Sequence, residues 1–191
     1  GKQFQDPLQE GADLLLGSTH KTFFGPMGGL ILSNRGDLME KIDQGISHRF
    51  LDNPHLNRIA ALGVALEETR RHGNRYAKQV VSNAKALASA LQQLRQPVKR
   101  TRKGFTMSHQ VYLDFGGYKR GARVRDRLEK AGIIVDSGVR LGTSEVTRRG
   151  MREREMKTIA ELMVEALTQR PYMVAQRVRR LLRAYRKTRF C

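Results

Sequence analysis

The stretch from residue 54 to residue 94 constrains the fold most. Leu56, Ile59, Ala60 and Gly63 share one helical face, and Val80, Ala84, Leu87, Leu91 and Leu94 recur at the same spacing. Pro54 stands where the first turn of a helix tolerates proline. Arg70 to Asn74, with Gly73, predicts a break between the two segments. Stripes of this kind pack a core, so the segments predict a connector that leaves one domain and enters another. The chain thus divides into a first part over 1–53, a helical connector over 54–95 and a small C-terminal domain over 96–191.

Ahead of the connector, Ala12 to Gly17 predicts a short buried strand stopped by glycine. Ser18, Thr19, His20 and Lys21 form a polar corner, Gly25 to Gly29 predicts a turn around Pro26, and Leu30 to Leu32 returns as a second strand. Two apolar strands around a polar, glycine-rich loop suit a functional site. Gly36 to Ile46 predicts a helix. Beyond the connector, His109 to Phe115 alternates as a strand, and Ala122 to Ala131 predicts a helix capped by left-handed Gly132. Ile133 to Val135 and Val139 to Leu141 predict further strands. Helices follow around Ile159 to Leu167 and Val178 to Tyr185. Strand, helix, strand and then helices predict an α/β domain.

Charge is unevenly spread. The chain carries 36 Lys and Arg against 18 Asp and Glu, a net charge of +18. After residue 94 the balance is 25 against 9, and Pro171 to Cys191 holds seven basic residues and no acidic one. Such a surplus raises nucleic-acid binding. The aromatic residues are not interleaved with the arginines as stacking platforms, so a solvated basic face is expected and nucleic acid is not. The sole cysteine, Cys191, excludes an internal disulfide framework and a cysteine-based metal site, no metal is expected, and a reducing, cytoplasmic setting fits. No apolar run reaches the roughly 18 residues that span a bilayer, and no signal-peptide core follows Gly1. The first residue is not Met, so the chain is expected to start inside a longer protein.

Lys21 is the residue of greatest chemical interest. A lysine that bonds a carbonyl must be held where its amine can lose a proton, which burial and neighbouring groups promote. Hydroxyls beside it can bond a phosphate, and the glycines downstream let backbone approach a ligand closely. On spacing alone, a lysine in a glycine-rich loop is more often an ordinary surface residue.

The wording of four segments goes further. Ser18 to Gly29 closely resembles the cofactor-lysine segment of serine hydroxymethyltransferases. Asn53 to Glu67, with His55, Asn57 and Ile59 to Leu62, resembles that family's connector helix, and Tyr76 to Leu87 its continuation. Ser137 to Thr143, then Thr147 to Gly150, resembles its C-terminal substrate motif. The segments stand in the family's order.

The resemblance implies an α/β fold of the aspartate-aminotransferase-like class (fold type I), with the end of the large cofactor domain followed by a small C-terminal α/β domain. It implies that Lys21 holds pyridoxal 5'-phosphate, that His20 and Ser18 surround the cofactor, and that Arg140 pairs with the substrate carboxylate, as a planar bidentate donor suits. The implied activity is serine–glycine interconversion with tetrahydrofolate as co-substrate, in a homodimer. The family's N-terminal half, which supplies the remaining cofactor contacts, is not in this sequence, so the chain is expected to be inactive alone. Met27 stands where many members have Arg, and Asp136, Ser137 and Gly138 replace a longer folate-contacting loop. A folate-independent aldolase or methylserine-type relative, and a non-catalytic basic derivative that binds nucleic acid, are the other readings.

Overall fold

The computed structural model describes residues 3–189, so Cys191 lies outside the described residues. The chain forms two compact units, one over Lys2–Asn74 and one built on Arg75–Cys191.

The first unit holds strands β1 (Leu15–His20) and β2 (Phe24–Leu32), helix α1 (Gly36–Arg49) and the start of helix α2 (Leu56–Gln93). β1 and β2 pair antiparallel as a sheet of two strands, with Leu15 opposite Leu32 and Ser18 opposite Gly29. The expected turn at Gly25 to Gly29 lies inside β2, and the reversal is made instead by Lys21 to Phe23. Proline is tolerated there because a two-stranded sheet leaves an open edge where its missing N–H has no partner to disappoint. α1 enters with Asp37 in its first turn, where a carboxylate suits the positive helix end. Leu16, Met27, Phe50, Leu56, Ile59 and Val64 remain exposed in this unit.

The expected break at Arg70 to Asn74 is absent, and α2 runs through it unbroken. One mid-helix glycine costs only about 1 kcal/mol, and local bonds offset it. Thr69 donates its hydroxyl to the Ala65 carbonyl at 2.8 Å, while Arg70 and Arg71 both pair with Glu67. The two guanidiniums bring the Glu67 carboxyl down to about 2. Buried Gly73 carries the helix past Thr69, whose methyl group a side chain at 73 would meet at 3.0 Å.

The second unit holds the remainder of α2, then β3 (Gln110–Tyr112), α3 (Tyr118–Lys130), β4 (Arg140–Gly142), α4 (Ser144–Arg148), α5 (Glu153–Thr168) and α6 (Pro171–Arg183). β3 and β4 pair antiparallel, with Val111 opposite Leu141. Leu87 and Leu91 of α2 meet Val111, Leu128, Leu141, Met156 and Val178 in one core. α3 ends as its sequence predicts. Gly132 has φ 78°, its N–H reaches the Glu129 carbonyl at 2.8 Å, and the Ile133 N–H reaches that of Leu128 at 3.0 Å. Ile133 to Val135 is not a strand. No neighbouring strand pairs with it among the described residues, and Ile134 is 88% exposed. The short α4 was not foreseen. Part of the basic surplus is structural, since Arg127 donates to the carbonyls of Ala166 at 2.8 Å and Gln169 at 2.6 Å, closing the end of α5. Among the described residues, no helix is long and apolar enough to cross a membrane.

One polar side chain ties this core together. Asn83 of α2 is fully buried, and its amide donates to the Thr147 hydroxyl at 2.8 Å and to the Met151 carbonyl at 2.9 Å. Gln79 donates to its oxygen at 3.0 Å. Asn83→Ala leaves buried acceptors unpaired and opens a cavity, so it should lower stability by about 2–4 kcal/mol, read as a fall in the urea midpoint.

Candidate active site

The hairpin of the first unit is not a plain ladder. Between Ser18 and His20 the register breaks, and β2 runs Gly25 to Gly28 against the single residue Thr19. This bulge is pinned at each bend. Thr19, only 2% exposed, donates its hydroxyl to the Pro26 carbonyl at 2.5 Å. A Cβ at Gly25 would come within 2.7 Å of the Thr19 carbonyl oxygen, so only glycine fits there without a shift. Gly28 donates its N–H to His20 Nδ1 at 3.3 Å. Arg58, from the first turns of α2, donates to the Met27 carbonyl and fills the space that a side chain at 28 would need.

These pins orient the candidate residues. With Nδ1 of His20 accepting, Nε2 is left as the ring's N–H donor, on an exposed side chain. Lys21 begins the reversal and is exposed, not buried as the sequence argument expects of an activated amine. Among the described residues its ammonium has no hydrogen bond or ion pair. Half-buried Ser18 lines an open depression of about 670 Å³ between the hairpin and α1, together with Gly17, Gly29, Met39 and Ile46. His20 and Lys21 do not line it.

Arg140 belongs to the other unit. It opens β4 opposite Tyr112, and both side chains are exposed. Its guanidinium pairs with Asp136 at 3.0 Å. The rest of its motif works in the core. Buried Thr143 donates to the Val80 carbonyl at 2.9 Å, and buried Thr147 to the Thr143 carbonyl at 2.7 Å. Arg149 pairs with Glu145 at 2.9 Å, and the Arg148 carbonyl accepts the Arg189 N–H at 2.6 Å.

Sequence reasoning passed over His109 at the foot of β3. Its carbonyl accepts the Thr143 N–H at 3.0 Å, which seats it beside β4. Burial first, and then the positive charge of Arg140, pushes its imidazole below the ordinary value. Beside the candidate carboxylate site, the ring therefore gives up its proton more readily than a free imidazole. Only its place at the head of the alternating strand could have flagged it, and that pattern carries no chemistry.

The comparisons with known proteins decide the family. The family model described as serine hydroxymethyltransferase matches residues 2–163. The chain belongs to the serine hydroxymethyltransferase family. A curated serine hydroxymethyltransferase from Archaeoglobus fulgidus is 46% identical, over 89% of this chain and 42% of its own length. One from Cenarchaeum symbiosum is 42% identical, over 100% of this chain and 47% of its own length. The chain thus spans less than half the length of these relatives. Among solved structures, L-threonine transaldolase from Pseudomonas fluorescens, in its internal aldimine state, matches with a TM-score of 0.89 and 31% identity. That match covers 96% of this chain and 45% of the other. The fold is therefore that of fold type I pyridoxal-phosphate enzymes, in part.

The hairpin's donor set fits the cofactor of that fold. It offers a primary amine with no competing partner among the described residues, an imidazole N–H and a hydroxyl, all on a backbone held by Thr19 and Arg58.

His109 gives a pH signature. A histidine whose folded pKa lies below its unfolded value costs nothing above about pH 6.5 and destabilises the fold as pH falls through that value toward the folded one. Wild type should lose stability across this window, and His109→Gln should lose less, read from urea midpoints at a series of pH values.

Proposed function

We propose that the protein is a pyridoxal-phosphate-dependent serine hydroxymethyltransferase that interconverts serine and glycine, with tetrahydrofolate carrying the one-carbon unit. The observation that carries this reading is the pinned bulge presenting Lys21 with an amine that has no partner among the described residues, inside a chain of the serine hydroxymethyltransferase family. The reading includes the division of the chain into a part of the large domain, a connector and a small domain. It also includes a homodimer and a cytoplasmic setting.

Bound at the hairpin, pyridoxal phosphate supplies an electron sink for carbanionic character at the α-carbon of an amino acid. The chain's residues would do the rest by holding and orienting. Lys21 holds the cofactor's aldehyde carbon through its amine. His20 would offer its Nε2–H and Ser18 its hydroxyl, from the same strand, to hold the cofactor. Arg140 takes the substrate's α-carboxylate, a planar anion matched to a guanidinium edge. Exposed Leu16, Leu56 and Ile59 give the first unit an apolar surface, which further polypeptide in the whole protein would cover.

One observation favours a second reading. Asp136, Ser137 and Gly138 alone join Val135 to Val139, and the solved neighbour is a transaldolase. A folate-independent cleavage of β-hydroxy amino acids would suit both.

Spectra of the protein with pyridoxal phosphate test the first point. Wild type should show a visible band that borohydride abolishes, and Lys21→Ala should show none; an identical band in both proteins removes Lys21 from the role. Serine turnover with and without tetrahydrofolate separates the two readings, because dependence on folate is expected only of the first. Arg140→Lys should raise the KM for serine about 10-fold or more, since a point charge replaces a bidentate fork.

A further inference from the structure

The turn that delivers Arg140 is held more tightly than its length requires. The Val139 N–H donates to the Asp136 carbonyl at 3.0 Å, closing a turn over Ser137 and Gly138. Val139 itself has φ 50°, a left-handed conformation that a β-branched residue rarely adopts, and it is 1% exposed. The turn is clamped from outside as well. Arg125 donates to the Ser137 hydroxyl at 2.5 Å, and Gly121 of α3 lies so close to the Ser137 carbonyl that a Cβ there would collide with it. The Val139 carbonyl accepts the Leu113 N–H at 3.2 Å. Strain that the surroundings over-determine is a mark of a working site.

Asp136 does two things in this turn with one carboxylate. Oδ1 accepts the backbone N–H of Arg140 at 2.9 Å, which sets the direction in which β4 leaves the turn. Oδ2 pairs with one terminal nitrogen of the Arg140 guanidinium at 3.0 Å. The two side chains are 41% and 50% exposed, so the pair adds little to stability. Its effect is on orientation. One corner of the guanidinium is fixed, while among the described residues no partner occupies its other donors.

We propose that Asp136 is the positioning residue for Arg140, holding the guanidinium by one nitrogen so that its remaining edge meets the substrate's α-carboxylate in a set orientation. The proposal rests on the assignment of Arg140 as the carboxylate site. It assigns Asp136 a role in substrate binding rather than in bond making, so its loss should appear in KM more than in kcat. Asp136→Asn separates the two contacts. An amide oxygen can still accept the Arg140 N–H and hold the turn, but the negative partner of the guanidinium is gone.

The experiment is a double-mutant cycle in the full-length pyridoxal-phosphate holoenzyme, with KM and kcat for L-serine and the dissociation constant of glycine read from the cofactor's absorbance. Asp136→Asn should raise KM and the glycine constant about 10-fold each, with kcat falling less, as expected for loss of one charged contact. In an Arg140→Lys background the same change should add less than about twofold, because the two residues act as a unit. An equal effect of Asp136→Asn in both backgrounds, or a loss confined to kcat, overturns the proposal while leaving Arg140 in place. Arg140→Lys with an unchanged KM overturns the carboxylate assignment itself, and the proposal with it. Matching melting temperatures of wild type and Asp136→Asn show that the turn is intact. Should Asp136→Asn melt early, Asp136→Glu takes its place, and it should recover part of the glycine affinity that Asp136→Ala loses; equal weakness of the two overturns the proposal.

Discussion

The second unit depends on a buried amide. Asn83 joins α2 to α4 and to the Met151 carbonyl just beyond it, more than 60 residues away in the chain, and it is fully buried. Leucines around it supply most of the burial energy, but they would accept α2 at several rotations. A donor that must meet a hydroxyl and a carbonyl accepts one. That fixed rotation seats Thr143 on Val80 and so sets the height of β4, from which Arg140 projects.

A similar economy governs the hairpin. Gly25 and Gly28 bring no side chain to the bulge and Met27 is exposed, so its shape comes from neighbours: a hydroxyl from Thr19, a ring nitrogen from His20 and a guanidinium from Arg58. The result is a stiff piece of backbone that shows Lys21 to solvent.

Much of this was legible in the residues. The stripe from Val80 to Leu94 gave the core face of α2, and Gly132 ended α3 because a left-handed residue was needed there. The four family segments led to the fold and to Lys21. What stayed hidden depended on partners distant in sequence. Gly25 to Gly29 reads as a turn until β1 pairs with it, and Gly73 reads as a break until Glu67 and Thr69 secure the helix around it. Ile133 to Val135 has a strand's composition but no strand beside it. His109 and Asp136 are single polar letters whose meaning comes only from Arg140.

Gly121 carries a historical consequence. It is confined to glycine because the Ser137 carbonyl lies against α3, and that carbonyl lies there because the turn is so short. A lineage that lengthened the turn would lift the carbonyl away and free position 121 to drift. Loop length and the residue at 121 should therefore be inherited together, so that among descendants of this fold one glycine on a helix records the size of the loop packed against it.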